Sequence, residues 1–105
     1  MSLTLVVTRD VTARYRGFLA SVMPEIAPGV YVSTDMTKGV RDRVWRVVTD
    51  WWESAPGGSV VMAYPDAAST GRLGVRVLGV PPVELASVDG VRLVVRRFAE
   101  ADGNA

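Results

Sequence analysis

The sequence has no cysteine and no histidine. Without cysteine there are no disulfides, no thiolate nucleophile and no zinc-thiolate site, and without histidine the commonest general base and metal ligand is gone. Much enzymology is excluded together with them. No segment is both long and apolar enough to cross a bilayer, and aromatic residues make up only 8% of the chain. The opening "MSLTLVV" has neither a basic start nor a small-residue cleavage site, so it reads as a strand rather than an export signal. The expectation is a cytoplasmic protein with no membrane partner.

What is present fits one soluble globular domain: 105 residues, 49% apolar and 22% charged. The net charge of +1 is unevenly spread. Residues 1–49 hold seven bases against four acids, and the rest of the chain holds five bases against seven acids. This asymmetry hints at a basic face and an acidic end.

Periodicity divides the chain into elements. "LTLVVT" (Leu3 to Thr8) is a short β-branched run that suits a buried strand. Val11, Tyr15, Phe18, Leu19 and Val22 recur at helical spacing until Pro24, predicting a helix over about 12–23 with Asp10 as its N-cap. "VYVS" (Val30 to Ser33) predicts a second strand after Pro28-Gly29. From Thr37, the residues Val40, Val44, Val47, Val48 and Trp51 mark a second helix that stops at "APGG". "SVVMAY" (Ser59 to Tyr64), apolar on both faces, predicts a central strand. Alternation around Leu73, Val75 and Val77, and again around Val91, Leu93 and Val95, predicts two strands with one polar face each. Pro81-Pro82 breaks their connection, and Asp89-Gly90 is a turn signal.

Two helices with one apolar stripe each must hide those stripes against the sheet. The expected fold is therefore α+β, a ferredoxin-like sandwich with both helices on one face of a mainly antiparallel sheet and extra C-terminal strands. Residues 1–96 form the domain in this reading, and 97–105 form a tail that is either partner-binding or disordered.

The stretch "TRDVTARYRG" (Thr8 to Gly17) sets several cations around one acid. At about 100° per residue, Arg14 and Arg16 flank the buried stripe of the first helix and Gly17 points away from the core. Glycine inside a helix costs about 1 kcal/mol relative to alanine, a loss that makes sense if a ligand such as a DNA phosphate must approach the backbone. The competing reading is two solvated arginines beside a tolerated glycine, with Asp10 as a simple cap. Trp45 and Trp52 lie roughly 120–140° from the Val40 stripe and either widen the core face or serve a protein interface. Arg92, Arg96 and Arg97 read as solvated or edge-protecting charges.

"RYRGFL", "GVYV", "KGVRDRVW", "GGSVVMAY" and "DGVRLV" occur in order along the chain. Together they resemble the small CRISPR-associated adaptation protein of the Cas-two family, in its type I-E branch. The resemblance implies a ferredoxin-like homodimer at the centre of the spacer-integration complex, between dimers of the larger integrase subunit that performs the transesterification. Its implied task is to support double-stranded protospacer DNA through phosphate contacts, which position a duplex without reading its bases. No cofactor is required for that task.

Carried onto this chain, the resemblance implies DNA contact by Arg14, Arg16 and Lys38, with Gly17 beside them and Arg41 as an addition. Pro81-Pro82 stand where the family has a basic pair, for which Arg72 or Arg76 would have to substitute. Asp89 matches a position that docks the integrase subunit, and the following strand with the tail, Val94 and Val95 included, would join that interface. Ser69 stands where a glutamate is expected. Other branches of the family are metal-dependent nucleases, which makes Asp10 the alternative catalytic and magnesium-binding residue, acting across the dimer axis beside Arg9. A third reading, a ferredoxin-like regulatory module for a metabolite or another protein, stays open at this level.

Overall fold

The computed structural model describes residues 3–79 and, as backbone only, residues 84–88 and 91–95. The elements run β1 (Thr4–Arg9), α1 (Ala13–Val22), β2 (Glu25–Ala27), β3 (Val30–Ser33), α2 (Lys38–Ser54), β4 (Ser59–Pro65), a 3-10 turn (Thr70–Arg72), β5 (Leu73–Leu78), β6 (Glu84–Val88) and β7 (Val91–Val95). Five strands form one antiparallel sheet in the order β2-β3-β1-β4-β5, and β6 pairs with β7 as a separate ribbon. This is the expected α+β arrangement, consistent with a ferredoxin-like fold. β3, β1 and β4 are interior, and all three are β-rich runs with apolar residues on both faces.

Both helices cover the same face of the sheet. Tyr15 and Leu19 of α1 and Val44 and Val48 of α2 meet Val6, Tyr31, Val60, Met62 and Tyr64 of the strands in one core cluster. The expected stripes are longer than the buried ones, because Val22 and Val40 stand exposed at the helix ends. The α2 N-terminus is closed by Thr37, whose hydroxyl accepts from the Val40 amide at 3.2 Å.

The other face is apolar and has no helix over it among the described residues. Register pairs Leu5 with Val32 and Ala63, and Val7 with Val30 and Val61, and continues through Val75 and Val77 of β5. β5 keeps the expected alternation, with its polar side turned toward the helices. Arg76 pairs with Met62 and so lies on the helix side, where it donates to Tyr64 Oη (3.0 Å) and Asp42 Oδ1 (2.8 Å), while the outward residues are aliphatic. Gly74 makes this possible, since a Cβ there would run into the Tyr64 ring.

Two strands went unread in the sequence. β2 has only three residues, all exposed, and lies between Pro24 and Pro28. β6 starts one residue after Pro81-Pro82 and offers no clear alternation. The ends of the domain, residues 1–2 and 96–105, lie outside the described residues, together with the expected tail.

Candidate nucleic-acid interface

The turn from β1 into α1 is built differently from the sequence expectation. Asp10 does not cap α1: Thr12 occupies the N-cap position, without a side-chain hydrogen bond. Asp10 instead turns the chain with φ = 55°, a left-handed conformation that Asp tolerates better than most residues. Beneath the turn, Gly58 at φ = 71° leaves no room for a Cβ against the carbonyls of Arg9 and Asp10, and its own carbonyl accepts from Trp52 Nε1 at 3.3 Å. Trp52 is thereby an anchor for this loop, and Trp45 packs against the core.

Beyond the turn, burial of Tyr15 and Leu19 orients α1 and leaves Arg14, Arg16 and Gly17 exposed. Nothing lies within 4 Å of the place where a Gly17 Cβ would stand. The two arginines have different surroundings. Arg14 places its guanidinium carbon 4.2 Å from the centre of the Trp51 ring of α2. Arg16 faces the Tyr31 hydroxyl together with Glu25 and lines a shallow groove of about 410 Å³ with Ile26, Ala27 and Pro28 along the β2 edge. Burial pushes the Tyr31 phenol above its ordinary range, Glu25 adds to the shift and Arg16 opposes it. Burial likewise raises the Tyr15 phenol, against the pull of Arg14.

Lys38 begins α2 and is exposed, as is Gly39, whose Cβ position is also empty. Lys38 and Trp51 are thirteen residues apart, about 20 Å along the helix. Predicted cations therefore stand toward both ends of α2.

Arg41 departs from the group. Only 9% of it is exposed, and its guanidinium lies 3.8 Å from the centre of the Tyr64 ring, with Asp42 Oδ1 at 4.0 Å. It belongs to an internal stack in which Tyr64 also receives Arg76, its guanidinium carbon 5.1 Å from the ring centre. In the single chain Arg41 offers no open surface to a duplex. Arg76 is committed in the same way, which leaves Arg72, exposed at the 3-10 turn, as the free candidate to replace the basic pair. Arg43 and Arg46 of α2, three residues apart and exposed, are cations the sequence reading left aside.

Ser69 is engaged locally, donating to Asp66 Oδ2 at 2.7 Å. That bond and the Ala68 amide hold the Asp66 carboxyl below its ordinary range. Asp89 lies outside the described residues, and Val94 and Val95 are described only as backbone in β7.

A magnesium site needs several oxygen ligands at once. Asp10 brings one carboxylate, preceded by Arg9, and among the described residues no three acidic side chains gather. The donor set of a single chain, among the described residues, does not fit that ion.

Trp51 is the residue that sequence reasoning missed. Its place in the α2 stripe marks it as core, and nothing in the pattern ties it to Arg14, thirty-seven positions earlier. The arrangement as a whole is a helix surface of exposed cations with a bare backbone position between them. A family model described as "CRISPR-associated protein (Cas_Cas2CT1978)" matches residues 3–93. That match covers most of the chain and most of the elements just described, so the chain belongs to the CRISPR-associated Cas2 family, which acts in CRISPR adaptation.

Proposed function

We propose that this chain is a dimeric, non-catalytic bridge in the spacer-acquisition integrase, gripping the phosphate backbone of protospacer DNA through Arg14, Arg16 and Lys38. The observation that carries the reading is the outward face of α1, where two exposed arginines flank the open backbone of Gly17. Phosphate oxygens accept from guanidinium edges in strong charge-assisted hydrogen bonds, and such contacts hold any sequence equally. A protein that must accept captured DNA of arbitrary sequence needs that indifference.

The uncovered sheet face supports the dimer. Leu5, Val7, Val30, Val32, Val61 and Val75, half-buried, and exposed Val77 form a contiguous aliphatic face that no helix covers among the described residues. A second copy is self-complementary to it about a two-fold axis. Docking of the larger integrase subunit through Asp89, Val94 and Val95 belongs to the same proposal, as does a cytoplasmic location.

The test compares wild type, Arg14→Ala/Arg16→Ala and Asp10→Ala. Binding of a fluorescent short duplex with splayed ends is measured with the integrase partner present, alongside spacer integration and magnesium-stimulated cleavage by the chain alone. Loss of binding and integration in the arginine variant only is the expected result. Loss of a magnesium-dependent cleavage in Asp10→Ala alone would replace the bridge with the nuclease reading.

A further inference from the structure

We propose that Trp51 is a positioning residue for the phosphate grip: its indole is a flat seat in α2 that holds the Arg14 guanidinium in place before DNA arrives. The inference rests on Arg14 being a phosphate contact.

Three observations converge on it. The first is the contact itself, with the guanidinium carbon over the ring at 4.2 Å from its centre, well inside the range of cation–π attraction. The second is that the seat is fixed from its own side. Tyr15 and Phe18 of α1 meet the Trp51 ring edge-on, with centroids 5.5 Å and 5.4 Å away and interplanar angles of 85° and 73°. The third is what Arg14 lacks. Arg76 is paired with Asp42, Arg41 is buried on Tyr64, and Arg16 shares its surroundings with Glu25. Arg14 has no carboxylate within ion-pair distance among the described residues.

An exposed arginine ordinarily samples many rotamers, and freezing it on binding costs affinity. Stacking uses the flat face of the guanidinium and leaves its N–H groups, which lie in the plane, free for phosphate oxygens. A seated arginine without a counter-ion is therefore already ordered and still unsatisfied. Lysine keeps a cation–π attraction to the ring but has neither the flat face nor the in-plane fork of N–H groups.

The experiment measures duplex affinity of the full-length protein at one fixed salt concentration for wild type, Arg14→Ala, Arg14→Lys, Trp51→Met, Trp51→Phe and Arg14→Ala/Trp51→Met. Thermal unfolding of each variant sets the folded fraction. Trp51→Met, which fills space without a π face, is expected to weaken binding about 2- to 5-fold per Arg14 engaged. Trp51→Phe should restore most of that loss, and Trp51→Met should add nothing in the Arg14→Ala background. Equal weakening by Trp51→Met with and without Arg14, or none in either, overturns the seat. Should Trp51→Met fail to fold, Trp51→Leu takes its place in the same comparison, and equal weakening with and without Arg14, or none in either, overturns the proposal. A separate result, no weakening by Arg14→Ala, removes the phosphate reading of Arg14 on which the seat depends.

Discussion

Gly17→Ala pushes stability and DNA binding in opposite directions. Gly17 lies in the middle of α1, and an added Cβ would meet nothing within 4 Å. In the free protein the substitution therefore carries no steric penalty, and replacing an interior helix glycine with alanine contributes about 1 kcal/mol. For a domain of this size that raises the midpoint of thermal unfolding by about 4–8 °C. On the DNA the new methyl group stands between two arginines where a phosphate is meant to come close. A charge-assisted hydrogen bond is worth about 1.5–3 kcal/mol, so pushing the phosphate off by a methyl radius and losing one such bond weakens binding by about tenfold or more. The assays are differential scanning calorimetry and duplex titration across a salt series, where one lost phosphate contact lowers the log–log slope by about 0.9. A stabilised variant that binds DNA with unchanged affinity and slope would refute the idea that this glycine keeps the backbone bare for a ligand. A variant that is not stabilised would refute the reading of its surroundings.

Other expectations follow from neighbouring contacts. Gly74→Ala drives a methyl into the Tyr64 ring and should cost about 1–3 kcal/mol, read as a lower urea midpoint with an unchanged slope. The Arg76 hydrogen bond holds the Asp42 carboxyl below its ordinary range. A depressed folded value means that this stabilisation is complete above the unfolded pKa of about 3.9 and is lost as pH falls through the folded one, so Asp42→Asn should flatten the stability profile only on that acid limb. Val61→Lys puts a charge in the middle of the uncovered sheet face and should turn a dimer into a monomer by light scattering, with the monomer still folded by circular dichroism. A dimer that survives it would place the interface elsewhere.

The continuous apolar runs of β1 and β4, the alternation of β5, the Tyr15–Leu19 and Val44–Val48 stripes and the punctuation by Pro and Gly determined the α+β layering, because each is a local consequence of strand or helix geometry. The same local geometry determined that Arg14 and Arg16 would flank the buried side of α1. Only the tertiary structure decided where the long cationic side chains end. Arg41 turns inward because Tyr64, twenty-three residues later, offers its ring, and Arg76 turns inward because Gly74 lets that ring lie across β5 beside Asp42. Asp10 turns the chain in a left-handed bend packed against Gly58 of a distant turn, and the cap position falls to Thr12. An arginine carries its charge several ångströms from its Cα, so its partner is set by whichever element the fold brings alongside. Chain periodicity places the Cα, and packing across the sheet places the charge.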